Sequence, residues 1–154
     1  MSALQKVARV LVLILLAVIS SVAADTADPW TASELVTPAQ LNAQLADVKA
    51  GKMVLVQVGF RVMYQLAHIP GSQYAGPAAK AEGMDSLKKL VGRLPRNQKI
   101  VVYCGCCPWN DCPNIRPAVR ALKDMGFTNF KILNVPERFG DDWTAKGYPV
   151  VKGD

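Results

Sequence analysis

Three short apolar runs constrain the fold of this chain more than any other feature: MVLVQV at 53–58, KIVVY at 99–103 and FKIL at 130–133. Each is of strand length, bounded by turn residues, and apolar on consecutive positions rather than alternate ones. Such runs suit strands buried on both faces. Between them lie stretches with helical spacing. Thr37 is placed to cap a helix, with Pro38 at its first position, Gln40 completing a capping box, and Val36 and Leu41 placed for a hydrophobic staple. Leu41, Leu45 and Val48 continue that helix, and Gly51 ends it. Met84, Leu87, Leu90, Val91 and Leu94 mark a second helix, stopped by Pro95. A third starts at Pro113, carries Ile115, Ala118, Val119, Leu122 and Met125 on one face, and is capped by Gly126. A short last helix is expected over 141–146, ending at Gly147. Strands alternating with helices predict an α/β fold of three layers, a mostly parallel central sheet with helices on both faces. Ligands in such sheets bind beyond the carboxyl ends of the strands.

All four cysteines of the chain, Cys104, Cys106, Cys107 and Cys112, fall in one such place. Cysteines that staple a small fold are spread along it, so this clustering marks a local site. Cys104 closes the 99–103 strand, and Cys112 is expected at or beside the N-cap of the third helix. Loop amides and the positive end of a helix dipole favour a thiolate. Arg116 and Arg120 could add positive potential. The chemistry that fits is nucleophilic attack by sulfur with a covalent intermediate.

The remaining cysteines leave several readings open. Cys106 and Cys107 could resolve a sulfur intermediate, bind metal or staple the loop, and either could bridge to Cys112. Adjacent cysteines rarely bridge each other. The C-x-C-C-x4-C spacing could offer thiolates to Cu(I) or Zn, yet it lacks the paired C-x2-C knuckles of a zinc site, so no metal and no cofactor is expected. His68, the chain's one histidine, is a candidate base but more in keeping with a structural role. Trp109, Trp143 and Tyr148 could wall a pocket.

Residues 1–24 read as a secretory signal: Lys6 and Arg9, an apolar stretch over 10–19, then Val22-Ala23-Ala24 before a cut at Asp25. The apolar stretch falls short of the roughly 20 residues that span a bilayer. An uncleaved anchor is the alternative, and the one route to a membrane. Residues 25–32 read as a linker and 33–150 as one domain. Export puts the chain in the periplasm or outside the cell, where exposed thiol pairs tend to oxidise. The whole chain carries a net charge of +6. Without residues 1–24 it has 16 Lys and Arg against 12 Asp and Glu, a net +4, with no basic stripe. Nucleic acid is therefore not an expected partner.

The order of several motifs resembles a single rhodanese (sulfurtransferase) domain. These are HIPGS at 68–72, IVVYC at 100–104 followed by a helix, GFTNFKIL at 126–133, and Asp142-Trp143 with KGYPV ending at 150. The resemblance spans about residues 33–150. It implies that Cys104 accepts a sulfane sulfur from a thiosulfate-like donor, holds it as a persulfide and passes it to a thiophilic acceptor. By their place in the loop, Gly105, Cys106, Cys107 and Trp109 are the candidates to line the substrate site, and Arg116 could hold an anionic donor or stand as a solvated surface charge. A small sulfur-containing anion, a thiol acceptor and a redox protein are the partners in view. The alternative is a rhodanese fold without catalysis, whose four-cysteine loop binds metal or exchanges disulfides. The chain departs from the family at Gln57-Val58-Gly59, where an Asp-Val-Arg-like ending is common, in its eight-residue loop (104–111), and at Val135-Pro136-Glu137-Arg138-Phe139, which replaces a glycine pair.

Overall fold

The computed structural model describes residues 28–153. The signal-like segment 1–24 and the first part of the linker lie outside the described residues. The elements, in order, are β1 (Leu35–Val36), α1 (Pro38–Asn42), α2 (Leu45–Lys49), β2 (Met53–Gln57), α3 (Arg61–Leu66), β3 (Gln73–Tyr74), α4 (Ala81–Val91), β4 (Lys99–Tyr103), α5 (Ile115–Asp124), β5 (Phe130–Leu133) and α6 (Phe139–Asp142). Single 3₁₀ turns occupy Ala32–Glu34, Trp109–Asp111 and Thr144–Lys146. The strands form one parallel sheet in the order β1-β5-β4-β2-β3. β4 is central, with Leu55 opposite Val101 on one side and Lys131 opposite Val101 on the other.

Alternation along the strands divides the core into two layers. Val56, Ile100, Val102 and Ile132 face α4 and α5, whose Leu87, Val91, Ile115, Val119 and Leu122 cover them. Met53, Leu55, Val101, Tyr103 and Leu133 face Leu41, Ile69, Phe139 and Trp143. This is the expected three-layer α/β arrangement.

The strands at 53, 99 and 130 stand where the apolar runs put them. The capping box is formed: the Gln40 amide donates to Thr37 Oγ1 at 3.2 Å and the Thr37 amide to Gln40 Oε1 at 2.9 Å. Other elements differ. The first helix is two short ones, bent at Gln44 (φ −108°, ψ 7°), and the bend keeps Leu41, Leu45 and Val48 on one apolar layer. The second ends at Val91 with Gly92 as its cap, so Leu94 packs from a turn rather than from the helix. The last helix begins earlier than expected, at Phe139, and passes into a 3₁₀ turn closed by Gly147. The linker is ordered from Asp28: Thr31 caps a 3₁₀ turn that leads straight into β1. No helix among the described residues is long and apolar enough to cross a membrane.

Candidate functional site

Cys104 continues the Ile100, Val102 alternation, so its sulfur points to the face covered by α5. Directly after it the chain must leave the sheet. Gly105 makes that turn at φ +76°, and a Cβ there would lie 2.8 Å from Phe139 Cβ. The backbone thus needs glycine twice over, for its sign of φ and for its approach to α6. The loop then rests on the segment after β5: the Trp109 amide donates to Pro136 O at 3.1 Å, and the Trp109 ring meets Trp30 edge-on at 5.2 Å. A 3₁₀ turn over Trp109–Asp111 returns the chain to Cys112, just ahead of α5.

This path brings all four sulfurs together, within 4.8 Å of one another. Cys104 Sγ lies 3.0 Å from Cys106 Sγ, and Cys106 Sγ 3.4 Å from Cys107 Sγ. All four are free thiols, with Cys104 and Cys112 buried and Cys106 and Cys107 half-buried. A bridge from Cys106 or Cys107 to Cys112 is thus absent from this structure. A cavity of about 10 Å³ opens among Cys104, Cys107, Trp109, Cys112 and Val135, room for one water-sized atom.

Two side chains that touch this cluster went unmarked as site residues in the sequence. Gln57, buried at the end of β2, donates from Nε2 to Cys104 O at 3.0 Å and accepts the Gly59 amide at Oε1 at 3.1 Å. It is a buried polar tie between the end of β2 and the Cys104 carbonyl. Gly59 has to be bare, because a Cβ there would stand 2.7 Å from Gln57 Nε2 and 3.1 Å from Cys104 Sγ. Asn114, the N-cap of α5, is buried as well. Its Oδ1 accepts the Ala79 amide at 3.0 Å, and its Nδ2 points at Cys104 Sγ (3.5 Å) and Cys106 Sγ (4.0 Å). The clues were a polar residue closing an apolar strand and an Asn directly before a helix; neither type is distinctive enough alone.

The helix begins at Ile115, so Cys112 is not its N-cap residue. The Cys112 sulfur nevertheless holds the helix-terminal position electrostatically. Hydrogen bonds from the Cys104 and Cys106 thiols, then from the backbone amides of Asn114 and Ile115, lower its pKa against the effect of burial. The Cys104 thiol is pushed up, first by its contact with Cys106, then by Cys112 and burial. Cys107 is pushed up by burial and by Cys106. Cys106 also rises: Cys112 and burial outweigh the downward pull of the Cys104 contact. The four groups lie close enough to titrate as a unit, and Cys112 is the member whose anion its surroundings favour most.

The rhodanese-like domain model matches residues 37–135, well over half of the chain. This chain belongs to the rhodanese-like domain family. Solved structures agree on the fold. The rhodanese-like domain of an Anabaena protein shares 20% identity and a TM-score of 0.57, covering 78% of this chain and 80% of that one. A Bacillus halodurans protein shares 23% identity at TM-score 0.57, covering 78% and 77%. A thiosulfate sulfurtransferase from Pseudomonas aeruginosa shares 21% identity at TM-score 0.56, covering 78% of this chain and 19% of that larger protein. No curated protein matches the sequence closely enough to count as a relative.

Within this rhodanese-like domain the other residues singled out from the sequence have definite places. Arg116 pairs with Asp28 at 2.7 Å, lies over the Trp30 ring, and donates to Asn110 O and Cys112 O at 3.4 and 3.5 Å. It braces the loop from outside, and the cavity lining does not include it. His68 is buried, stacked on Tyr64 at 3.7 Å with Nδ1 2.8 Å from Tyr64 O, and its backbone bridges to Val151. The HIPGS turn is fastened to β4 through Tyr103, whose hydroxyl accepts the Ile69 amide at 3.2 Å and meets Ser72 Oγ at 2.9 Å. Burial holds that phenol well above its usual pKa. Trp143 is wholly buried in the opposite layer, with the half-buried Tyr148 against it edge-on at 5.1 Å; neither lines the cysteine cavity, and Tyr148 instead borders a separate surface pocket with Pro38 and Asn134. Trp109 does line the cavity. The amides expected to cradle the loop sulfur are partly spent elsewhere: Trp109 N–H on Pro136 O, while Pro108 has none.

Proposed function

We propose that this rhodanese-like domain is a sulfurtransferase that carries sulfane sulfur as a persulfide on Cys104. The observation that carries this reading is the Cys104 sulfur itself: fixed at the end of the central strand, anchored through Gln57, and bordering a one-atom cavity. A proton moving from Cys104 to the Cys112 thiolate puts the charge on the nucleophile. The Cys104 thiolate attacks the outer sulfur of a thiosulfate-like donor. The donor S–S bond breaks, and sulfite leaves with the bonding pair. The sulfane atom fits the cavity; the sulfonate group stays outside it. An acceptor thiolate then takes the terminal sulfur and leaves the Cys104 thiolate behind. A rigidly held nucleophile favours both steps.

The reading is tested by incubating reduced protein with thiosulfate and mapping its peptides by mass spectrometry. The expected result is a gain of one sulfur atom on Cys104, matched by released sulfite. Sulfur on Cys112 instead, or no gain on any cysteine, would overturn it. We also propose that the domain works after export, in the periplasm or outside the cell. Terminal sequencing of protein from its native host should begin at Asp25; a chain starting at Met1 or Ser2 in the membrane fraction would mean a retained anchor.

A further inference from the structure

We propose that Cys104, Cys106, Cys107 and Cys112 together form a binding site for one thiophilic d10 metal ion, Zn(II) or Cu(I). This goes beyond sulfur transfer, and the two states exclude each other because they use the same sulfurs.

The geometry is close to a ligand shell. A tetrahedral ion with Zn–S bonds of about 2.3 Å has sulfur–sulfur edges of about 3.8 Å. The four sulfurs lie within 4.8 Å of one another, with two contacts at 3.0 and 3.4 Å. Shifts of about 1 Å in a loop would bring every edge to the value set by those bond lengths. The donor set selects the metal: the group contains neither His nor carboxylate, and a purely thiolate set favours soft ions over Mg, Ca or Mn. The paired knuckles missing from the sequence are not required, since a single loop folding back from β4 to α5 gathers all four sulfurs.

The surroundings supply what a metal–thiolate cluster needs outside its ligands. A ligated cluster keeps negative charge on sulfur and calls for hydrogen bonds to it. Asn114 aims Nδ2 at Cys104 and Cys106 and is held in that pose by the Ala79 amide. The Asn114 and Ile115 amides meet Cys112. Cys104 is set by the end of β4 and Cys112 by the start of α5, whereas Cys106 and Cys107 are half-buried and form the side from which an ion enters. Binding displaces thiol protons to solvent, with no change of oxidation state at sulfur.

The test uses full-length, reduced, metal-free protein under nitrogen. It is titrated with Zn(II) against a colorimetric chelator, and separately with Cu(I). The expected result is one equivalent bound for at least one of the two ions, with the bound thiols protected from alkylation. If Zn(II) is the ion, each Cys→Ser variant loses affinity; if Cu(I), at least one variant keeps it. Asn114→Ala should weaken binding about 10–100-fold. Cys107→Ser, at a half-buried loop position, serves as the variant least exposed to folding defects. Absence of binding by both ions, or binding that leaves all four thiols open to alkylation, would overturn the proposal. Sulfur uptake is assayed on the same metal-free sample. Metal binding without sulfur uptake overturns the transfer reading and leaves the site standing, while uptake without metal binding does the reverse.

Discussion

Strand β4 and the cysteine loop that follows it are neighbours in sequence and are held by different means. β4 lies between β2 and β5, with a continuous parallel register on each side. Its side chains fill both core layers, and its position follows from burial alone. The loop from Gly105 to Asp111 has no ladder. It is held by a glycine pressed on Phe139 whose carbonyl accepts the Phe139 amide, by the Trp109 amide on Pro136, by an aromatic contact to Trp30, and by Asn114 and Arg116 reaching in from α5. The strand thus fixes where the Cys104 sulfur sits, and the loop decides which other sulfurs lie beside it. Damage to the strand should cost stability, whereas damage at the junction should change thiol behaviour as well.

Truncating the strand layer has the largest expected effect on stability. Leu55→Ala, at a wholly buried position beside β4, should destabilise the domain by about 2–5 kcal/mol in denaturant titration. Thiol reactivity in the remaining folded protein should stay unchanged; a changed pattern would mean that loop and strand are less separable than argued. Gln57→Ala strikes the junction. It orphans the Cys104 carbonyl and the Gly59 amide, at about 1–3 kcal/mol for each group left unsatisfied. Alkylation of Cys104, followed by peptide mass mapping, should become faster. An unchanged alkylation rate would remove Gln57 as the residue that positions this sulfur.

Gly105→Ala tests the loop's first turn. A residue with a Cβ at positive φ costs roughly 1–2 kcal/mol, and the contact with Phe139 adds to it. The melting temperature should fall, and the order in which the four thiols react should change. The smallest effect is expected at Arg116, whose partly exposed pair with Asp28 is worth about 0–1 kcal/mol. Arg116→Gln should leave both the melting temperature and the KM for thiosulfate nearly unchanged. A clear rise in KM at constant stability would return Arg116 to the anion-binding role its sequence position suggested.

The same contrast explains what the sequence made legible. β2, β4, β5 and α5 carry continuous or periodic apolar signals; the three strands stand where those signals put them, and α5 lies on its apolar stripe but begins at Ile115 rather than Pro113. α3 buries only Tyr64 and exposes Val62 and Leu66, so no apolar stripe announces it. β1 and β3 are two residues long, too short for any period to show. At the site, Cys104 was legible because it closes a strand. The convergence of the other three sulfurs was not, since it depends on how an irregular loop folds back. Gln57 stood out in the sequence only as a departure from the family, and its role as anchor needed the position of the Cys104 carbonyl. Arg116 had no visible partner because Asp28 is 88 residues away.

The central claim is that the strand-held sulfur, and no other, carries the transferred atom. It is tested most directly by single-turnover reaction of thiosulfate with the wild type and the four Cys→Ser variants, reading sulfite release and the site of sulfur gain together. The account predicts that Cys104→Ser releases no sulfite, because a hydroxyl is a far weaker nucleophile and holds no sulfane sulfur. Cys106→Ser, Cys107→Ser and Cys112→Ser should still load Cys104, more slowly for Cys112→Ser because the proton acceptor is gone. Full sulfite release by Cys104→Ser, together with none by Cys112→Ser, would contradict the account and make Cys112 the nucleophile.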